Sequence, residues 1–257
     1  MDQEKNVAKF YNLINLYSDY LGSGFKRNHK LPDFSKITQK KEKIKIEKNP
    51  TNNTPIEIKI INKSLDINAK KRTIISIAEK IIKCTKCNLH EGAGKVPGAG
   101  NCNADIFVVS YPPTIEEENS GRPLIGGEPA LFFKKWLNAI NINFEDVFVS
   151  NIIKCPPKKN KIKKENIEIC INYLNEQLEI VKPKIILSLG QLTFSSLKKS
   201  FINLMENHGK IFEYNGIPFL STYHPLDVLT DTSLKKPVWE DLKKLKMYME
   251  GNISLNE

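Results

Sequence analysis

No apolar run in this 257-residue sequence approaches the roughly 18 to 20 residues of a membrane span, which argues against a membrane protein and against a membrane partner. Cysteine is scarce. The five present are an odd number and too few for a disulfide framework, which leaves metal ligation, catalysis or packing as their uses. The opening MDQEKNVAKF has neither a basic segment followed by an apolar stretch nor a small-residue cleavage site, so no secretory signal is read and a cytoplasmic location is expected. No fixed-period repeat is visible. What is present, 40% hydrophobic and 26% charged residues, is the composition of a soluble globular chain long enough for one domain plus an arm, or for two small domains.

The net charge of +10 is unevenly placed. Residues 1–83 carry 18 Lys+Arg against 9 Asp+Glu, while residues 84–257 carry 21 against 20. A basic arm on a nearly neutral body suits a polyanion such as nucleic acid, because neutralising phosphates releases counterions without requiring a particular sequence. Compositional bias toward Lys, Asn and Ile is the alternative reading of the same arm.

Helical spacing of Phe10, Leu13, Ile14, Tyr17, Tyr20 and Leu21 predicts an amphipathic helix over residues 8–22, ended by Gly22-Ser23-Gly24. From Phe25 to about Lys71 the chain is polar and aperiodic, which predicts a flexible linker with one short strand at Ile56 to Ile61. The expected division is therefore an arm over 1–71, a domain over 72–250 and a tail over 251–257. After Arg72, strands are expected at Asp105 to Ser110, Val147 to Ile152, Lys184 to Leu189 and Pro218 to Thr222. Helices are expected near 73–83, 128–140, 164–181, 190–200 and 236–249. Such alternation predicts an α/β fold with a parallel sheet covered by helices on both faces. A hairpin around Asn215-Gly216 feeds the last strand.

Ligands of open parallel sheets bind beyond the carboxyl ends of the strands. The first strand runs into Ser110-Tyr111-Pro112-Pro113-Thr114 and then Gly121-Arg122-Pro123-Leu124; the second ends at Asn151; the last ends in Tyr223-His224-Pro225. An Asn offers both donor and acceptor, as reading a nucleobase edge requires, and a His fixed by a following Pro can donate to charge developing on a leaving group. Taken singly, Asn151 could be a turn residue and His224 a satisfied, half-buried imidazole. Lys154, Lys158, Lys159, Lys161, Lys163 and Lys164 crowd the loop after the second strand, either as phosphate contacts or as a solvated face.

Cys84-x2-Cys87 is followed by Cys155 and Cys170, so one tight pair must meet two distant cysteines. Four thiolates of this kind can hold a [4Fe-4S] cluster or zinc, or remain unligated in the core; the spread of the last two suits the cluster best. Cys102 reads as a spare, small turn residue.

At these residues the sequence resembles the iron–sulfur (family 4) uracil-DNA glycosylases. The resemblance runs from about Ile75 to Met249 as an ordered series: Cys84-x2-Cys87, Val96-Pro97-Gly98, Ala104-Asp105-Ile106, Gly121-Arg122-Pro123, Val149-Ser150-Asn151-Ile152-Ile153-Lys154-Cys155, Cys170, Pro183-Lys184-Ile185-Ile186, Tyr223-His224-Pro225 and Trp239-Glu240-Asp241-Leu242. It implies a three-layer α/β/α fold around a four-stranded parallel sheet and a [4Fe-4S] cluster on Cys84, Cys87, Cys155 and Cys170. It also implies hydrolysis of the N-glycosidic bond of uracil flipped out of single-stranded or duplex DNA by a monomeric repair enzyme. Asn151 would read the uracil edge, His224 would stabilise charge on the departing base, and the loop from Ser110 would supply backbone amides and place the water.

The sequence also departs from the family. The first loop usually reads Gly-Glu-Ala-Pro-Gly, where this chain has Ser110, Tyr111, Pro112, Pro113 and Thr114. The Phe that follows Gly-Arg-Pro is here Leu124, which keeps apolar contact and loses the aromatic face. Ser110, Pro113, Thr114, Leu124, Asn151 and His224 are thus the expected base pocket, and His224, Asn151 and Tyr111 the expected catalytic residues. Tyr111 either replaces the lost Glu in positioning water or fills the pocket. The alternative function is a catalytically degenerate iron–sulfur DNA-binding protein on the same fold.

Overall fold

A computed structural model of the chain describes residues 55–91, 93–157, 162–200 and 202–253. The helix expected over residues 8–22 lies outside the described residues. The chain falls into two units, residues 1–64 and residues 65–257. The second holds all of the sheet.

The first element among the described residues is helix α1, Pro55–Ile82, 28 residues long. It overturns both the strand expected at Ile56 to Ile61 and the linker expected to reach Lys71. Six alternating residues are too few to decide a period, and no Gly or Pro interrupts residues 56–82. Pro55 stands at the first helical position, where its missing N–H costs nothing.

The domain then runs β1 (Ala99–Gly100), β2 (Ile106–Ser110), α2 (Ile115–Ser120), α3 (Gly127–Ala139), β3 (Phe148–Asn151), α4 (Lys164–Val181), β4 (Ile185–Leu189), α5 (Gln191–Lys198), β5 (Ile211–Tyr214), β6 (Ile217–Thr222), α6 (Pro225–Thr230) and α7 (Lys235–Met249). Strand order is β1-β3-β2-β4-β6-β5. The four central strands β3, β2, β4 and β6 are mutually parallel, as expected. The sheet has six strands rather than four, because β1 and β5 add antiparallel edges to β3 and β6. The β5–β6 edge is the hairpin expected at Asn215-Gly216.

Alternation along the central strands builds the three layers. On one face, Phe107, Val109, Phe148, Ile186 and Phe219 pack with Leu174 and Leu178 of α4 and Phe194 and Leu197 of α5. On the other, Ile106, Val108, Val149, Ile185, Leu187 and Leu220 pack with Phe133 and Leu137 of α3 and Leu242 and Leu245 of α7. Both faces are apolar, so β2 and β4 are buried at every position. No helix among the described residues is long and apolar enough to cross a membrane.

Candidate active site

Parallel register sets Ser110, the last residue of β2, beside Asn151, the last residue of β3. The exit of β6 brings His224 to the same end, and the hydroxyl of Ser110 lies 3.0 Å from His224 Nε2. All three side chains are buried. His224 caps α6: its Nδ1 accepts from the Leu226 N–H at 3.1 Å. A nitrogen that accepts carries no proton, so the neutral ring bears its hydrogen on Nε2 and donates toward Ser110. Burial lowers the His224 pKa to about 3, which keeps the ring neutral at any working pH.

Tyr111 lies flat on that imidazole, with ring centroids 4.2 Å apart and planes 6° from parallel. Its hydroxyl donates to Asp227 Oδ2 at 2.9 Å, and the same oxygen accepts from the His224 backbone N–H at 3.2 Å. Burial and the Asp227 carboxylate both push the phenol pKa upward, so it stays protonated. Room for the ring comes from Gly190, where an added Cβ would collide with Tyr111.

Asn151 is held by its amide nitrogen. Nδ2 donates to the Tyr111 carbonyl at 2.7 Å and to Glu117 Oε2 at 3.3 Å. Oδ1 is buried with no hydrogen-bond partner. Glu117, which sequence reading did not single out, caps α2 with Thr114: the Thr114 N–H donates to its carboxylate at 3.0 Å, and the Glu117 N–H donates to Thr114 Oγ1 at 3.3 Å. The Thr114-x-x-Glu117 spacing is a capping box and was open to detection as one. The Leu124 N–H donates to the other carboxylate oxygen.

The remaining expected residues divide. Pro113 is buried and Thr114 exposed. Leu124 sits with positive φ and is buried in the core cluster around Phe133, and its link to the site is its backbone N–H, which donates to Glu117. Lys154 does not join a phosphate-facing loop. It is buried, and its ammonium donates to the Asn151 carbonyl at 2.9 Å, to Gln177 Oε1 at 3.2 Å and to the Ser150 hydroxyl. Burial lowers its pKa to about 7, so the three internal acceptors surround an amine that is only partly charged at neutral pH. Lys163 and Lys164 are exposed, and residues 158–161 lie outside the described residues.

Cys87 packs against the core cluster that holds Cys155 and Cys170, and Cys84 packs against the cluster of Ile77, Ile81 and Tyr173. Burial, then Cys170, Cys87 and Cys84, act to push the Cys155 thiol up to about 12, and Cys170 is raised by burial and by Cys87 and Cys84. Cys102 is raised by burial, against the opposing pull of Lys71 and Lys70. Among the described residues, no three His, Cys, Asp or Glu side chains are grouped closely enough to hold a metal ion.

Residues 97–243 match the family model for the uracil DNA glycosylase superfamily. A type-4 uracil-DNA glycosylase of Saccharolobus solfataricus is 34% identical over 181 residues, covering 66% of this chain and 83% of the relative. A type-4 uracil-DNA glycosylase of Thermotoga maritima is 31% identical, covering 68% and 93%. A type-5 uracil-DNA glycosylase of Pyrobaculum aerophilum is 27% identical over 153 residues, covering 53% and 68%. With the strand-end placement of Ser110, Asn151 and His224 on a sheet of this order, these matches establish that the chain belongs to the uracil-DNA glycosylase superfamily, among the type-4 enzymes.

Proposed function

We propose that this protein hydrolyses the N-glycosidic bond of uracil in DNA, as the first step of base excision repair, with Asn151 and His224 as its catalytic residues. The observation that carries the reading is a pair of buried groups at one strand-end site: a neutral imidazole with its proton on Nε2, and an amide oxygen with no partner. Uracil offers the complements. Its ring N–H can donate to Asn151 Oδ1, and its carbonyl oxygen can replace Ser110 as acceptor for His224 Nε2–H. Cleavage leaves negative charge on the departing base, so a fixed donor in a water-poor site lowers the barrier without transferring its proton. Extrusion of the base costs a few kcal/mol and is easiest from single strands or mismatches.

Tyr111 is better read as a brace than as a water-positioning group. Its hydroxyl is committed to Asp227 and its ring to His224, and the Thr114 N–H is committed to Glu117. Pro112 and Pro113 have no N–H to give. The first loop therefore lacks both the acid and most of the amides that would orient water. This observation favours a second reading, a DNA-binding protein with little or no turnover.

Cys84, Cys87, Cys155 and Cys170 are the residues that would hold a [4Fe-4S] cluster. Each thiolate of a cubane binds its own iron, so the ligands must surround a volume rather than converge on one ion; Cys155 and Cys170 share one core cluster with Cys87 packed on it, and Cys84 packs beside Tyr173 of the helix that carries Cys170. Such a cluster supplies a crosslink joining the loop after α1, the loop after β3 and helix α4, and the hydrolysis needs no redox step. The basic residues 1–54 would add sequence-independent affinity for DNA to a monomeric, cytoplasmic enzyme.

The test is incubation of purified protein with single-stranded and U·G duplex oligonucleotides, followed by alkaline cleavage of abasic sites. Strand scission at the uracil supports the glycosylase; binding without scission at enzyme excess supports the second reading.

A further inference from the structure

We propose that Glu117 is the specificity-determining positioning residue of this site, fixing the Asn151 amide so that only its oxygen faces the base. The inference rests on the glycosylase reading and names a part that sequence analysis did not find.

Glu117 is a buried carboxylate whose hydrogen-bond partners are all donors. They come from three segments that build the pocket: the Thr114 N–H of the first loop, the Leu124 N–H after Gly121-Arg122-Pro123, and Asn151 Nδ2 at the end of β3. Only an acceptor-only group satisfies all three. Asn151 Nδ2 also donates to the Tyr111 carbonyl, so both N–H bonds of the amide are committed to the protein and Oδ1 is the group left unpartnered. Reversing the amide would set Oδ1 against a carboxylate and a carbonyl at once.

An Asn locked in this sense presents a lone pair where a base edge must dock. Uracil meets it with N3–H. Cytosine carries a lone pair at N3, and two acceptors repel, so cytosine is rejected. Discrimination between the two bases thus depends on the residue that forbids the reversed amide, although that residue does not touch the base.

Glu117→Gln removes the lock with almost no change in volume. One end of the introduced amide is an NH2, which must face either the Leu124 N–H or the Thr114 N–H and Asn151 Nδ2. In the second case Asn151 reverses to accept from that NH2 while losing its bond to Tyr111, leaving the two amide orientations nearly balanced. The experiment measures excision from uracil oligonucleotides, together with Kd for oligonucleotides carrying non-cleavable 2′-fluoro-deoxyuridine or 2′-fluoro-deoxycytidine. Wild type, Glu117→Gln, Glu117→Asp and Glu117→Ala are compared, with thermal unfolding as the check on folding.

The preference for uracil over cytosine is expected to fall at least tenfold in Glu117→Gln, because the charge-assisted hydrogen bond that holds the amide in one sense is lost. Glu117→Asp, still acceptor-only, is expected to keep most of the preference, and Glu117→Ala to lie between. If Glu117→Gln does not fold, Glu117→Ala carries the same test against wild type. An unchanged preference in a folded variant, whatever happens to its rate, overturns the assignment. Wild type that fails to cut uracil overturns the glycosylase reading itself, so the two failures are distinguishable.

Discussion

The Tyr111 ring and the His224 imidazole form a parallel stack at 4.2 Å, and both residues bond to one oxygen of Asp227. The contact excludes water from one face of the group proposed to stabilise the leaving base. Tyr111→Phe keeps the stack and loses one hydrogen bond to a charged group, so stability is expected to drop by about 1.5–3 kcal/mol with little change in rate. Tyr111→Ala opens the imidazole to solvent and is expected to lower kcat roughly tenfold. Tyr111→Glu sets a second carboxylate beside Asp227 and is expected to lower the rate too, although it restores the family's residue. Single-turnover kinetics and thermal melts of the three variants check this.

His224 gives the protein a definite pH dependence. Its pKa falls from an ordinary 6.5 to about 3 on folding, so between those values the unfolded chain binds more protons than the folded one. Stability therefore rises with pH through that window, is fully present above pH 6.5, and is lost as pH falls toward 3. His224→Gln is expected to flatten this part of the stability curve, as measured by urea unfolding at several pH values. The rate profile of wild type is expected to show no imidazole titration above about pH 5.

Protein purified without oxygen is expected to be brown, with broad absorbance near ~400 nm and about four irons per chain. Cys84→Ala, Cys87→Ala, Cys155→Ala or Cys170→Ala is expected to bleach and destabilise it, whereas Cys102→Ala leaves the colour. Iron analysis and visible spectra read the outcome, and colourless protein holding one zinc contradicts it.

Deleting residues 1–54 leaves α1 whole, since the helix starts at Pro55. The truncated protein is expected to keep its fold and to bind DNA with a flatter dependence of log K on log salt. An unchanged slope would assign the lysines of this arm to composition alone.

Much of the fold was legible because the strands are short apolar runs bounded by Pro, Gly and polar residues. The strand expected at Lys184 to Leu189 is Ile185–Leu189, and the helix expected at 164–181 is Lys164–Val181. Asn151 and His224 were legible as polar residues at strand exits, where parallel sheets bind ligands. Residues 56–61 misled because a six-residue alternation is also a short piece of a longer helical stretch, and only the uninterrupted run to Ile82 decides between them. Lys154 misled for a different reason: its burial depends on Gln177 of α4 arriving beneath β3, which no local pattern shows. Glu117 and Asp227 were readable as helix caps from their spacing to Thr114 and His224. Their place in the site was not, because it rests on bonds to Asn151 and Tyr111 across 34 and 116 residues of chain.

On the proposed reading, Asn151 and His224 turn over uracil despite a first loop without its acid. General acid–base help is typically worth ~10²–10⁴-fold, so activity is expected to be reduced rather than absent. The most direct measurement is alkaline cleavage of single-stranded uracil oligonucleotide after incubation with excess wild type, Asn151→Ala or His224→Ala protein. Wild type is expected to give slow, complete scission, and either variant none above background. Uncut oligonucleotide that is nonetheless bound by wild type would contradict that reading.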